Sequence, residues 1–228
     1  MPVEAHVRLP HVIDAAQQLA DGLENPCRLV TLHRDIDKLH DDDGNRLGQS
    51  KKQHALRWAV FTMAYGAIEA FFNDILRGND DTRVIPLNPG RLRDAGAKHD
   101  VRLFTNVWAV RTRALLQDRP GRRSRWVVYS GTQQLNAYLA DMKSLRDLLN
   151  HGQDPRSVSN QSGALWPLAD GRNSMRLMGA EGFIQACCDL ASQSVVAYGG
   201  RAADLPKWPE PKRSGLAAEP KPDLELVP

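Results

Sequence analysis

The sequence predicts an all-α fold, an up-and-down helical bundle with an irregular loop before the last helix. Apolar residues recur at three- and four-residue steps through most of the chain, and strand-like alternation is scarce. The segment 55–76 is apolar around most of its circumference, which suits a helix central to a bundle. Turn-forming clusters fall between the periodic stretches. The 228 residues are enough for one sizeable core and short for two. Residues 1–200 are therefore expected to form one helical domain with extra N-terminal helices. Residues 201–228 hold all six prolines found beyond Gly199 and read as an extended or disordered tail.

Each element has its own signal. Residues 9–23 give a first helix and residues 26–40 a second, which stops at Asp41-Asp42-Asp43-Gly44-Asn45. Ser50 can cap the long helix that runs to Arg77, where Gly78-Asn79-Asp80-Asp81 ends it. Pro89 opens a short helix over 90–99, and residues 101–117 read as another. Thr132 can cap a strong helix over 133–151, with Gly152 as its stop. Residues 152–178 are irregular, with a short hairpin within 165–177, and 179–198 is the last helix.

Composition excludes several classes. Glu4 and Arg8 interrupt the opening residues, so no signal peptide is read there. Arg57, Glu69, Asn73 and Asp74 within the most apolar segment favour a buried core helix over a membrane span. Cys27, Cys187 and Cys188 have neither disulfide nor zinc spacing, so we expect reduced thiols in a cytoplasmic protein, with no metal and no cofactor. The net charge of +3 is unevenly spread. Between Arg91 and Trp126 ten Lys/Arg face three Asp/Glu, a local +7 that leaves −4 for the rest. Such a block suits a partner of opposite sign, a phosphate backbone or an acidic protein. Within it Arg119, Arg122, Arg123 and Arg125 are candidates to meet RNA phosphates. Trp126 either stacks on a base or anchors the core, and Arg111 and Arg113 extend the patch.

On the helix 55–76, Thr62, Gly66, Glu69 and Asn73 form a narrow polar stripe among large apolar groups. Glu69 there either needs a cationic partner or meets solvent. On the helix 133–151, Leu135, Tyr138, Leu139, Met142, Leu145 and Leu149 set the core face. At about 100° per residue, Arg146 falls on the edge of that face and His151 points outward.

The segment Leu145-Arg146-Asp147-Leu148-Leu149-Asn150-His151-Gly152 carries an Arg-x4-His spacing. With 22 arginines and seven histidines, chance alone gives about 0.7 such matches. A second match, Arg28 to His33, is present. In context the later segment resembles the HEPN superfamily. Its ribonucleases carry Arg-x4-6-His late in the penultimate long helix, commonly with Asn, Asp or His directly after the Arg. Asp147 fills that place, and only Arg146 to His151 lies there. Upstream, Ala67-Ile68-Glu69-Ala70-Phe71-Phe72-Asn73-Asp74-Ile75-Leu76 looks like the acidic-aromatic helix of HEPN proteins in RNA-directed toxin and abortive-infection systems. The resemblance covers about residues 50–200 and leaves the earlier helices, the basic region and the tail unexplained.

The resemblance implies a metal-independent endoribonuclease, a toxin or phage-defence effector acting as a homodimer. In that chemistry the RNA 2′-OH attacks its own phosphodiester, which needs proton transfer and positive charge. His151 would move the proton and Arg146 would hold phosphate oxygens. Asp147 would orient His151 or Arg146, and Asn150 would hold the phosphate or Arg146. Glu69 and Asn73 would stand behind them. An antitoxin is a further implied partner. The alternative is a non-catalytic HEPN module that binds a partner protein or nucleic acid, with Arg146 merely bridging Glu69 and His151 capping a helix end.

Overall fold

The structure is a computed structural model. It describes residues 3–40, 42–44, 54–77, 83–115, 124–212 and 220–226, the first five as backbone only. Ser50, the turn residues Asp41 and Asn45, the 78–81 stop, and Arg119, Arg122 and Arg123 lie outside the described residues. The chain is mostly helical, 57% helix against 10% strand, so the expected all-α class holds in its helical part and is corrected by two small sheets. In order the elements are α1 (Val3–Ile36), α2 (His54–Leu76), α3 (Pro89–Ala97), β1 (Ala109–Leu115), β2 (Ser124–Ser130), α4 (Gly131–Asn150), β3 (Trp166–Pro167), β4 (Asn173–Ser174) and α5 (Leu177–Ala197).

The two expected N-terminal helices are one. Helix α1 runs unbroken through Pro10 and Pro26. Val12, Ala15, Ala16, Leu19, Leu23, Cys27 and Val30 are all buried and keep one phase across Pro26. That continuous stripe, packed on α2 and α5, outweighs the hydrogen bond that Pro26 removes. Helix α2 behaves as its apolar circumference demands. Val60, Phe61, Ala64, Tyr65, Ile68, Phe71, Phe72 and Ile75 are buried, and Cys187 of α5 donates to the Ala64 carbonyl at 3.8 Å. By length and composition α2 alone among the described helices would also pass as a membrane span, but more than half of its most apolar stretch lies inside the protein.

Residues 101–117 are not a helix. Residues 101–108 form a loop, and β1 pairs antiparallel with β2, Val110 opposite Tyr129 and Arg113 opposite Trp126. Val110, Thr112, Val127, Val128 and Tyr129 are β-branched or aromatic, which suits this pairing. The other edge of β1 is sealed by α5. The Gln193 side chain accepts from the Ala109 N–H at 2.9 Å and donates to the Ala109 carbonyl at 2.7 Å, so its amide stands in for a neighbouring strand. Asp189 accepts from the Arg111 backbone N–H at 2.7 Å and from its guanidinium at 2.6 Å. Close approach needs Gly182, where a Cβ would lie 2.4 Å from the Arg113 nitrogen.

Helix α4 starts from Ser130 as N-cap residue, one turn-forming glycine ahead of the expected Thr132. The Thr132 hydroxyl instead donates to Asn106 Oδ1 at 2.6 Å. Gly152, at φ +65°, takes the left-handed turn that ends the helix. The irregular stretch that follows is pinned by Asp141, a fully buried carboxylate of α4. It accepts from Ser159 Oγ at 2.7 Å, Ser162 Oγ at 2.7 Å and the Ser162 N–H at 2.8 Å. Three such bonds offset the desolvation of a buried charge.

After a single helical turn at Ala202–Asp204, the tail is extended over its described residues and lies against the helices. Trp208 donates to Ser192 Oγ at 3.1 Å, and the Arg34 guanidinium to the Lys212 carbonyl at 3.3 Å. Lys221 donates to Gln185 at 2.7 Å and to Glu210 at 2.5 Å. The prolines keep this segment from becoming a helix while leaving side chains free to dock.

Candidate functional site

Helix α4 presents Leu135, Tyr138, Leu139, Met142 and Leu145 to the core. Arg146 follows Leu145 and lies on the border of that face, 21% exposed. It meets Glu69 of α2, 19% exposed, at 2.5 Å. A second nitrogen meets Asp147 at 2.9 Å, and Lys143 reaches Asp147 at 2.5 Å one turn back. The Arg146 guanidinium also stands over the Tyr65 ring, 4.9 Å from its centroid. Two cations and two carboxylates thus form one chain of contacts across α2 and α4. Burial works against the charge on Arg146, yet Tyr65, Glu69 and Asp147 raise its pKa above the ordinary value. Burial also pushes the Tyr65 phenol up.

His151 is the C-cap residue of α4 and is exposed, as is Asn150. Its backbone N–H donates to the Asp147 carbonyl at 3.0 Å, and among the described residues nothing holds its ring. Five residues of helix separate Arg146 from His151 by about 140° around the axis and about 7.5 Å along it. Within one chain, the guanidinium turns toward α2 while the imidazole stands in solvent. Asn73 does not join them. Its side chain donates to the Glu69 carbonyl at 2.8 Å and the Ile85 carbonyl at 3.0 Å, and accepts from the Ile85 N–H at 2.8 Å. It clamps the segment after α2 to the helix end.

The basic region divides. Arg111 is held by Asp189 and Arg113 is buried, so neither extends a surface patch, which corrects that expectation. Both are carried by β1, and a helical reading could not show that its faces meet α5 and the core. Arg125 is exposed. Trp126 is only 8% exposed, with the Arg113 guanidinium 4.8 Å and the Lys221 ammonium 5.5 Å from its ring centroid. A base stacking there would have to displace this chain's own side chains.

Two residues of the site escape a motif search. Tyr65 lies one turn before Glu69 on α2, and Lys143 one turn before Asp147 on α4, so four-residue spacing was the available signal. Among the described residues no group of three or more His, Cys, Asp or Glu side chains is placed to hold a metal ion. Comparisons with known protein families, with curated proteins and with solved structures give no match.

Proposed function

We propose that the chain is a HEPN-type, metal-independent endoribonuclease, a toxin or phage-defence effector built on a helical bundle. The observation that carries this reading is an exposed, unheld imidazole, His151, just past a partly exposed arginine whose orientation is fixed by Glu69, Asp147 and Tyr65. An arginine so held, its Nε buried, presents the remaining N–H directions of its two terminal nitrogens as a preset phosphate contact. A histidine at a helix end can take the 2′-OH proton and return it to the leaving oxygen. Because the two side chains diverge around α4, one protomer supplies an incomplete set. A homodimer that sets two α4 ends face to face would bring one chain's Arg146 to its partner's imidazole. Asp147 then orients Arg146, and Asn150 is the exposed amide beside the phosphate. Arg125 is the described basic residue available to the RNA, and Arg119, Arg122 and Arg123 belong to the same proposed contact. The proposal places the protein in the cytoplasm, off the membrane, with an antitoxin or other defence protein as a further partner.

The test is cleavage of a tRNA and mRNA mixture with chelator present. Parent protein should cleave, and His151→Ala should lose about 10²–10⁴-fold in rate. Cleavage retained in His151→Ala overturns the assignment.

A second reading, a non-catalytic HEPN module that binds a partner protein or nucleic acid, is favoured by the carboxylates already on Arg146. Folded parent protein that binds RNA or a partner yet cleaves nothing would establish it.

A further inference from the structure

At the other end of α4 the structure opens a cleft of about 780 Å³ between α3, the 100–107 loop and Thr132. That volume falls in the range of about 300–1,000 Å³ typical of small-molecule sites. Thr132 and His151 are 19 residues apart on one helix, about 28 Å, so this cleft is separate from the site described above.

Its walls have a divided chemistry. Ala97, exposed, and the edges of the otherwise buried Leu103 and Phe104 give the apolar part of the lining. Arg93 and Arg102 stand at the mouth, exposed to solvent. Among the described residues Arg102 makes no hydrogen bond or ion pair. Arg93 gives one N–H to the Phe104 carbonyl at 3.1 Å and keeps the rest of its fork. Asn106 accepts from Thr132 through Oδ1, which fixes its amide and leaves Nδ2 as a donor. Among the described residues Asp100 is the one carboxylate on the lining, against two guanidinium groups.

The backbone adds an independent observation. Asp100 and Phe104 have φ of +55° and +54°. Asp100 is accounted for by helix termination, because the Val101 N–H closes on the Gly96 carbonyl at 3.0 Å. Phe104 ends no helix; its ring packs against Phe72 at 5.7 Å and Trp108 at 4.6 Å, and that core packing holds a bulky residue in the left-handed region, where it is an outlier. Its conformation aims its carbonyl at Arg93 and so sets that guanidinium at the mouth. Strain held where it positions a cation beside an apolar lining is the pattern of a ligand site.

We infer that this cleft binds a small organic phosphate. Arg93 and Arg102 take the phosphate oxygens, Asn106 donates to a polar group, and the ligand's flat or apolar body lies along Ala97 and the edges of Leu103 and Phe104. Two arginine forks match the several oxygens of a phosphate better than the two of a carboxylate.

Calorimetric titration of the full chain with adenosine 5′-monophosphate tests this. The parent should bind saturably. Arg102→Glu, a surface change that leaves the Phe104 contact intact, should weaken binding by about tenfold or more, the scale of one lost charge-assisted contact. Adenosine should not bind, and inorganic phosphate should bind more weakly than the monophosphate. His151→Ala should leave the affinity unchanged, so the outcome stands whether or not RNA is cleaved. Absence of saturation, equal affinity in Arg102→Glu, equal binding of adenosine, or equal binding of inorganic phosphate each overturns the inference.

Discussion

The chain carries the same Arg-x4-His spacing on two helices, and the two copies face opposite ways. In α1, Arg28 is 72% exposed and meets Glu24 one turn back at 2.5 Å. Its histidine, His33, is 2% exposed and accepts from Arg57 Nε at 3.2 Å. In α4 the arginine is the inward residue, against Glu69 and Tyr65, and His151 is outside. The spacing fixes an angle of about 140° between the two side chains. It does not fix which of them meets the core. That is set by the apolar stripe beside them: Val30 and Cys27 turn His33 inward, whereas Leu145 and Met142 turn Arg146 inward.

The contrast can be broken most severely at function. Arg146→Ala should abolish cleavage in the proposed assay while Arg28→Ala leaves it intact, and equal effects of the two would erase the distinction. Stability comes next. Arg146→Ala leaves the Glu69 carboxylate without its cation and uncovers Tyr65, which should cost about 1–3 kcal/mol in urea unfolding. His33→Gln should cost a similar amount, about 1–3 kcal/mol, whereas His151→Ala should leave the midpoint in place. An unfolding midpoint that falls with His151→Ala would mean that its ring supports the fold.

A smaller effect is the pH dependence that the buried His33 brings. Burial first, and then Arg57, lower the His33 pKa from its ordinary 6.5. The folded state therefore favours the neutral ring. Its contribution is fully present above the unfolded value of about 6.5 and is lost as pH falls toward the lowered folded value. Stability measured from pH 7.5 down to 5 should fall, and His33→Gln should flatten part of that fall. His54 carries the same sign, through burial, Arg57 and Arg156, so some slope should remain. The smallest expected change is in Arg28→Ala, an exposed pair whose loss should not move the midpoint measurably.

Much of the helical frame was legible, because α4 buries a stripe written at a single period while α2 and α5 are long segments buried on most sides. The join at Pro26 was not, since a proline reads as a stop until the partner face that holds it is known. Nor was β1. Its residues fit either a short helix or a strand, and the choice was made by Gln193, Asp189 and Gly182, some 70 to 84 residues later. At the candidate site, helix geometry alone put Arg146 at the core border and His151 in solvent, where the structure has them. The polar stripe of α2 left two readings of Glu69, and the ion pair with Arg146 decides between them. The cleft under Arg93 had no sequence signal, because a left-handed phenylalanine is a property of the folded loop.

The packing of α1 on α5, with Thr31 and Arg34 bonded to the tail at Lys212, has a consequence for how the chain is made. Helix α1 meets α2 early, but finds its second partner, α5, only after roughly 140 further residues have been added. At about 5–20 residues per second, α1 and α2 wait for several seconds with an apolar seam uncovered. A nascent chain arrested before residue 177 should therefore be held by chaperones, and one released past residue 212 should not.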